Sequence, residues 1–153
     1  MERKEYSAGA VKFSFWFMEF KSVVKLLAEG KSYEEIKELA QNENLFATST
    51  PARSNQIYST VTARIKVLDE SFYPVFIKGD VSIQKLFVLT AAMAYYTLFF
   101  DFVYEVIREK MIIGSNEYAD SDIRIFFKDK QIQDEKVAKW TEATLKRLGR
   151  CYK

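Results

Sequence analysis

The stretch VSIQKLFVLTAAMAYYTLFFDFVYEVIREK, residues 81–110, decides the fold class of this chain. Residues 86–100 carry no charge, and this run of fifteen residues could be read as a membrane span. Fifteen helical residues reach about 22 Å, whereas the hydrocarbon core of a bilayer is about 30 Å thick. A longer span would place Asp101 and Glu105 in lipid at a few kcal/mol each. We therefore predict a long buried central helix and no membrane segment.

Two amphipathic helices are predicted near the N-terminus. The first covers residues 13–28 and stops at Gly30. Its buried face comprises Phe13, Phe17, Phe20, Val24 and Leu27. The second has Ser32 as its N-cap and Glu35 as the capping-box partner, with Ile36, Leu39 and Ala40 inward.

A third helix is predicted from Pro51, behind a cap at Ser49 or Thr50, to about Asp69. Its buried stripe comprises Ile57, Val61, Ile65 and Leu68. The segment SFYPVFIKGD that follows contains Pro74 and is interpreted as a packed connector ending on a new N-cap at Asp80.

Two helices are predicted after residue 118. A short one is capped by Asp120 or Ser121 and turns Ile123, Phe126 and Phe127 inward. After a polar loop, the last helix is capped by Thr141, with Leu145, Leu148 and Tyr152 inward. Gly149 costs about 1 kcal/mol there relative to alanine, so we expect fraying or a stop. No segment alternates as a strand, and the predicted class is a single all-α bundle over residues 1–153.

Composition excludes several kinds of function. The 153 residues include no histidine, and so lack the commonest general base and the usual ligand of catalytic zinc. One cysteine, Cys151, excludes an internal disulfide, and the five isolated glycines match no phosphate-binding loop. The opening MERKEYSAG has no apolar export segment. We expect a cytoplasmic protein that is not an enzyme and holds no metal or cofactor.

The last helix carries the leading candidate site, because charge is unevenly distributed. Residues 128–153 hold eight Lys/Arg against four Asp/Glu, leaving 15 and 17 of the totals of 23 and 21 for the rest of the chain. Such a basic stripe suits phosphate contacts, which release counterions and weaken with salt. The alternative is cations that merely complement the helix dipole. The candidate residues are Lys136, Lys139, Lys146, Arg147 and Arg150, with Lys153 beside them.

The second and third helices loosely resemble a helix-turn-helix, although their linker is longer than that motif requires. Opposite the buried stripe lie Asn55, Ser59, Thr62 and Lys66, which could approach a groove but equally suit ordinary surface. Arg53 and Arg64 fall at the edge of the stripe, where an internal ion pair competes with a phosphate contact. Arg53 and Lys66 are kept as candidate nucleic-acid contacts.

Two pairs of acids are interpreted as structural. Asp120 with Asp122 could ligate a metal, and Glu34 with Glu35 could act as a carboxylate pair. Acids favour the first turn of a helix, which explains both pairs without chemistry. The aromatic residues, 16% of the chain, are assigned to the core rather than to base stacking.

Several strings along nearly the whole chain carry a family resemblance. They are YSA at residues 6–8, Glu19, LLAEGKSYEEI from Leu26, ENLF from Glu43, DFVYEVIREKMIIG from Asp101, DSDIRIFF from Asp120 and KWTEATLKRL from Lys139. Together they resemble the BrxA family of bacteriophage exclusion (BREX) systems. The combination of FVYEVIREK with WTEATLKRL is specific, because helical amphipathicity alone does not require either string.

The resemblance implies a NusB-like helical fold and a non-enzymatic role beside a methyltransferase, an ATPase and other BREX components. It also implies binding of double-stranded DNA. Family members continue beyond the helix that starts at Thr141, so this chain is expected to lack a C-terminal extension. A protein-protein adaptor without nucleic-acid contact remains the alternative, and a magnesium-dependent nuclease or phosphotransferase is the third hypothesis.

Overall fold

The computed structural model describes residues 3–12 and 14–153, and every regular element among them is helical. The all-α class predicted from the sequence is confirmed. The chain divides into two compact units. Phe15–Tyr95 forms the first, called here the N-terminal unit, and Tyr96–Lys153 with the described part of Met1–Ser14 forms the second, the C-terminal unit. Phe13, assigned above to the first helix, lies outside the described residues.

The N-terminal unit contains five helices. They are α1 (Phe17–Ala28), α2 (Tyr33–Asn42), α3 (Pro51–Ile65), α4 (Phe72–Lys78) and α5 (Val81–Tyr95). Ser32 and Glu35 form the predicted capping box, and Thr50 caps α3 by accepting a hydrogen bond from the N–H of Arg53. Gly30 adopts a positive φ of 91° directly after α1, which explains the stop.

Two predictions in this unit are wrong in detail. Helix α3 ends at Ile65, short of Asp69, and the expected connector is helical. Pro74 lies in the first turn of α4, where a missing N–H breaks no helical hydrogen bond. Phe72 and Phe76 bury one face of α4 against Phe20 of α1, with ring centroids 6.4 and 5.7 Å away. This aromatic packing overrides the turn signal of the sequence.

The prediction of a long buried central helix is also wrong, because α5 ends at Tyr95 and a new helix, α6 (Thr97–Phe102), follows it. Between them Tyr96 has extended backbone angles, φ −106° and ψ 103°. The apolar spacing of Val88, Ala91, Leu98 and Phe102 continues across the break, so periodicity could not reveal it. Nor is α5 covered on all sides, since the side chain of Leu86 is 61% exposed.

No single helix within residues 3–12 and 14–153 has the length and apolarity to cross a bilayer. The helical stretches Val81–Tyr95 and Thr97–Ile112 meet those criteria only when taken together, and the chain is bent between them.

The C-terminal unit begins with a 3₁₀ turn, Gly9–Lys12, and continues from α6 into a π-helical segment, Val103–Ile107, and α7 (Arg108–Ile112). Then come α8 (Asp120–Gln133), α9 (Glu135–Ala138) and α10 (Glu142–Tyr152). Helix α8 is longer than predicted. Its N-cap is Ala119 rather than Asp120 or Ser121, because the carboxylate of Asp122 folds back to accept a hydrogen bond from the Ala119 N–H at 2.7 Å.

The core of this unit is aromatic. The ring of Phe102 packs on those of Phe126 and Tyr152, with centroids 5.4 and 5.1 Å away, and Tyr152 stacks on Phe127 at 5.8 Å. Gly149 does not end α10, contrary to expectation, because the helix approaches α8 closely there. A Cβ on Gly149 would lie 3.1 Å from Cγ2 of Ile123. The packing therefore offsets the low helix propensity of glycine.

Candidate nucleic-acid interface

Three residues of the predicted basic stripe, Lys146, Arg147 and Arg150, lie on the outer face of α10, whereas Lys136 lies in α9 and Lys139 directly follows α9. Thr141 begins α10 by accepting a hydrogen bond from the N–H of Thr144 at 3.2 Å, as predicted. Leu148 and Tyr152 are buried, which fixes the rotation of the helix about its axis. Lys146 and Arg147 are consequently exposed, as is Arg150. The burial of Leu148 and Tyr152 therefore determines which side chains of α10 face the solvent.

Carboxylates pair with only some of the cations in this region. Lys136 Nζ lies 3.1 Å from Glu5, Lys146 Nζ lies 3.3 Å from Glu142, and Lys153 Nζ lies 2.9 Å from Asp120. The hydrogen bond between the last two residues lowers the pKa of Asp120 and raises the pKa of Lys153. All three pairs are exposed, so each stabilises the protein little and can open at small cost.

The remaining cations of the stripe are Lys139, Arg147 and Arg150. Considering residues 3–12 and 14–153, their side chains make no ion pair or hydrogen bond with the protein. Arg150 is in the last turn of α10, where the helix dipole favours a cation, but Lys139 precedes the helix and Arg147 lies further from its end. The dipole alternative therefore accounts for Arg150 and not for the whole stripe.

A groove of about 680 Å³ runs between α8 and α10 beside this stripe. Its floor is formed by Ile123, Phe127, Leu145 and Gly149. Its rims carry Arg124, Lys128, Lys146, Arg150 and Lys153, together with Asp120, Gln131 and Glu142. Two residues of the stripe, Lys146 and Arg150, thus also line an apolar groove that the sequence analysis did not foresee.

The candidate contacts on α3, Arg53 and Lys66, belong to the N-terminal unit, whereas the stripe belongs to the C-terminal unit. Arg53 is exposed, donates a hydrogen bond to Gln56, and lies over the ring of Trp16 with its guanidinium 5.1 Å from the centroid. Lys66 is exposed and its ammonium lies 4.4 Å from the ring centroid of Tyr33. Arg53 and Lys66 are thirteen residues apart, which corresponds to about 20 Å along the helix axis. Their side chains also point in different directions from that axis, so the two residues form no joint patch.

Two other α3 residues that were considered for contact are buried. Thr62, placed on the outer face by the sequence, is 4% exposed and donates its hydroxyl hydrogen bond to the carbonyl of Tyr58 at 2.7 Å. Arg64 is 2% exposed and donates to the carbonyl of Phe15 at 3.1 Å. Its burial and this bond agree with an internal role, which was the alternative to a phosphate contact.

Three of the four acids in the two pairs, Glu35, Asp120 and Asp122, have structural partners, as interpreted. Glu35 belongs to the capping box of α2, and Asp122 caps Ala119 while lying 3.2 Å from Lys110 Nζ. The Ala119 N–H is the main reason that the pKa of Asp122 is lowered. No group of three His, Cys, Asp or Glu residues suited to a metal ion occurs within the part of the chain that the structure describes.

The sequence analysis missed a buried network in the C-terminal unit. Lys130, with its side chain 3% exposed, places Nζ 2.6 Å from Glu105 and 3.7 Å from Asp101. Asp101 also accepts hydrogen bonds from Arg3 and from the hydroxyl of Tyr6. Burial alone would lower the pKa of Lys130, but the bond to Glu105 and the neighbouring charges raise it above its ordinary value. The available signal was Asp101, a charge placed directly after the charge-free run.

Fold and surface together define an all-helical protein whose last helix presents an exposed basic stripe. The BrxA family model matches residues 4–153, and the chain belongs to that family. It is 40% identical over 136 residues to the BREX protein BrxA of Bacillus cereus (strain H3081.97), covering 89% of this chain and 68% of the relative. The resemblance inferred from the sequence is confirmed.

A solved structure shares the fold. The crystal structure of an uncharacterized protein from Magnetospirillum magneticum matches with a TM-score of 0.76 at 17% identity, covering 97% of this chain and 77% of that one. At this identity the similarity concerns the fold alone.

Proposed function

We propose that this protein is a non-enzymatic component of a BREX phage-defence system and binds double-stranded DNA through the basic stripe of α9 and α10. The stripe consists of Lys136, Lys139, Lys146, Arg147 and Arg150. BrxA family membership supports the phage-defence role. In the same proposal the protein acts in the cytoplasm beside other BREX components, including the methyltransferase and the ATPase that the resemblance implies.

The main support for the DNA proposal is that the cations of the stripe are exposed and mostly not paired with carboxylates in the part of the chain that the structure describes. Lys139, Arg147 and Arg150 have no intramolecular partner among the described residues, and Lys146 has only an exposed one, Glu142. Phosphate contacts need cations that are exposed and not neutralised, because affinity comes from displaced counterions. An interface of this kind reads the backbone rather than the base edges, so we expect weak sequence preference.

Arg53 and Lys66 are proposed as secondary contacts on the N-terminal unit. Each lies over an aromatic ring, which holds the cation in place while leaving it exposed. Because they point in different directions from α3, each is expected to contribute separately and less than a residue of the stripe.

Charge reversal of the stripe tests the proposal. In a mobility-shift titration with a labelled duplex at low salt, Lys146→Glu, Arg147→Glu and Arg150→Glu together should weaken binding at least about tenfold. The matched control is Lys25→Glu, Lys37→Glu and Lys85→Glu, three exposed lysines of the N-terminal unit with the same total change in charge. Equal affinity of the stripe variant and the wild type would remove these three residues from the proposal.

The second candidate function is a protein-protein adaptor within the same system. The apolar floor between α8 and α10 favours it, because phosphates gain nothing from contact with Ile123 or Leu145. The adaptor predicts that the protein co-purifies with BREX components after nuclease treatment and that the charge-reversed stripe variant does so as well. Loss of the complex on nuclease treatment would instead indicate a nucleic-acid bridge.

A further inference from the structure

The groove between α8 and α10 has the form of a seat for a third helix. Its residues on α8 recur at helical steps, Asp120, Ile123, Arg124, Phe127, Lys128 and Gln131. Those on α10 recur in the same way, Glu142, Leu145, Lys146, Gly149, Arg150 and Lys153. Each helix thus presents one continuous ridge over about 16 Å, or three helical turns. Two such ridges with a depression between them form a surface into which the ridge of another helix can pack.

Gly149 gives this depression its shape. A Cβ at that position would lie 3.1 Å from Ile123 Cγ2 and 3.8 Å from Phe127 Cε2, so the missing side chain lets the two helices approach closely. Leu145 is only half-buried beside it and leaves apolar surface open to the groove. An apolar floor of this kind is the usual receptor for the apolar row of an amphipathic helix.

The rims decide the charge of the occupant. Asp120 is paired with Lys153 at one end of the groove, and Glu142 is paired with Lys146 towards the other. Between the ends Arg124 and Lys128 line one side and Arg150 the other, all exposed. A basic occupant would be repelled there, and a neutral one would bring no carboxylate to Arg124, Lys128 or Arg150.

We infer that this groove binds an acidic amphipathic helix of a partner protein, about three turns long. Its apolar row lies on Ile123, Phe127 and Leu145, and its carboxylates pair with Arg124, Lys128 and Arg150. DNA is the less suitable occupant of the groove, because a phosphate backbone pairs with the rims but cannot use the floor. The inference goes beyond the proposed DNA contact and shares only Lys146 and Arg150 with it.

A designed probe tests the inference on the full chain. The probe is a fluorescein-labelled helical peptide of about 14 residues, with leucine at every third or fourth position and glutamate on both sides of that row. Its control is a peptide of the same composition with the leucines dispersed around the helix. Fluorescence anisotropy at moderate salt should show binding of the first peptide at least about tenfold tighter than binding of the second.

Two charge-reversal variants locate the binding. Arg124→Glu with Lys128→Glu alters the groove rim, and Lys139→Glu with Arg147→Glu makes the same change in charge outside the groove. The rim variant should weaken peptide binding about tenfold and the control less than twofold. Leu145→Ala should weaken it severalfold without changing charge. Circular dichroism of each variant verifies that the fold is retained.

The failures of the two proposals are distinguishable. Equal weakening by both charge variants, or equal binding of both peptides, would reduce the interaction to net charge and overturn the groove. Duplex affinity that falls for the rim variant while the peptide does not bind would assign the groove rim to DNA and overturn the helix seat. Peptide binding to the groove by a protein that does not bind duplex would overturn only the DNA proposal.

Discussion

Lys130 and Asp101 form a buried charged pair whose coupling can be measured directly. Lys130 places Nζ 2.6 Å from Glu105 and 3.7 Å from Asp101, and the side chains of Lys130 and Asp101 are 3% and 9% exposed. Removing one member of a buried pair costs about 3–5 kcal/mol, because the other charge remains without water. Here Asp101 retains Arg3 and Tyr6, and Glu105 is 44% exposed and can be hydrated.

We therefore expect Lys130→Met to lower the free energy of unfolding by about 3 kcal/mol, at the lower end of that range. Asp101→Asn should cost somewhat less, because Lys130 keeps Glu105 as a partner. The double variant should cost about 1–2 kcal/mol less than the sum of the two single variants, because neither Lys130 nor Asp101 is then left as a charge without the other. Urea unfolding followed by far-ultraviolet circular dichroism measures all three variants on the same scale.

In thermal unfolding the loss for Lys130→Met corresponds to a Tm lower by about 6–12 °C. A cost below about 0.5 kcal/mol for Lys130→Met, or strict additivity in the double variant, would contradict the buried pairing of Lys130 with Asp101.

Three further predictions concern the elements that position the stripe. Thr141→Ala removes the side-chain acceptor for the N–H of Thr144 and should lower the free energy of unfolding by about 1 kcal/mol. Thr141→Ser keeps a hydroxyl acceptor and should lose much less stability in the same urea assay. Leu148→Ala empties a fully buried site and should cost about 2–5 kcal/mol; a cost below 1 kcal/mol would show that Leu148 does not anchor α10. The Ala119 N–H and then Lys110 hold the pKa of Asp122 below its ordinary value, so its contribution is present at neutral pH and lost as pH falls through the lowered pKa. The Tm difference between wild type and Asp122→Asn should therefore shrink in acid, and a difference that grows there would contradict this assignment.

The sequence predicted those parts of the fold that depend on local signals. The capping box of Ser32 and Glu35, the cap at Thr141 and the stop at Gly30 require only neighbouring residues, and all three are present. The break at Tyr96 could not be predicted, because the apolar spacing on its two sides belongs to one stripe. The helical course of α10 through Gly149 was equally hidden, since its cause is the approach of Ile123 from another helix.

The candidate site was predictable to a similar extent. The rotation of α10 follows from Leu148 and Tyr152, so the exposure of Lys146 and Arg147 could be read from spacing. The pairing of Lys136 with Glu5 joins residues far apart in the chain, and so does the burial of Lys130 against Asp101. The groove between α8 and α10 could not be predicted, because it depends on how the two helices pack and α8 is longer than the sequence indicated.

Salt dependence tests the central claim, that the stripe on α9 and α10 contacts DNA phosphates. Each contact contributes about 0.9 to the slope of log affinity against log salt, so the five stripe contacts should contribute about −4.5 to the slope of the wild type. The variant with Lys146, Arg147 and Arg150 all changed to glutamate should lose about 3 from the magnitude of that slope. The control variant at Lys25, Lys37 and Lys85 should keep the wild-type slope. Identical slopes for the wild type and the stripe variant would contradict the claim.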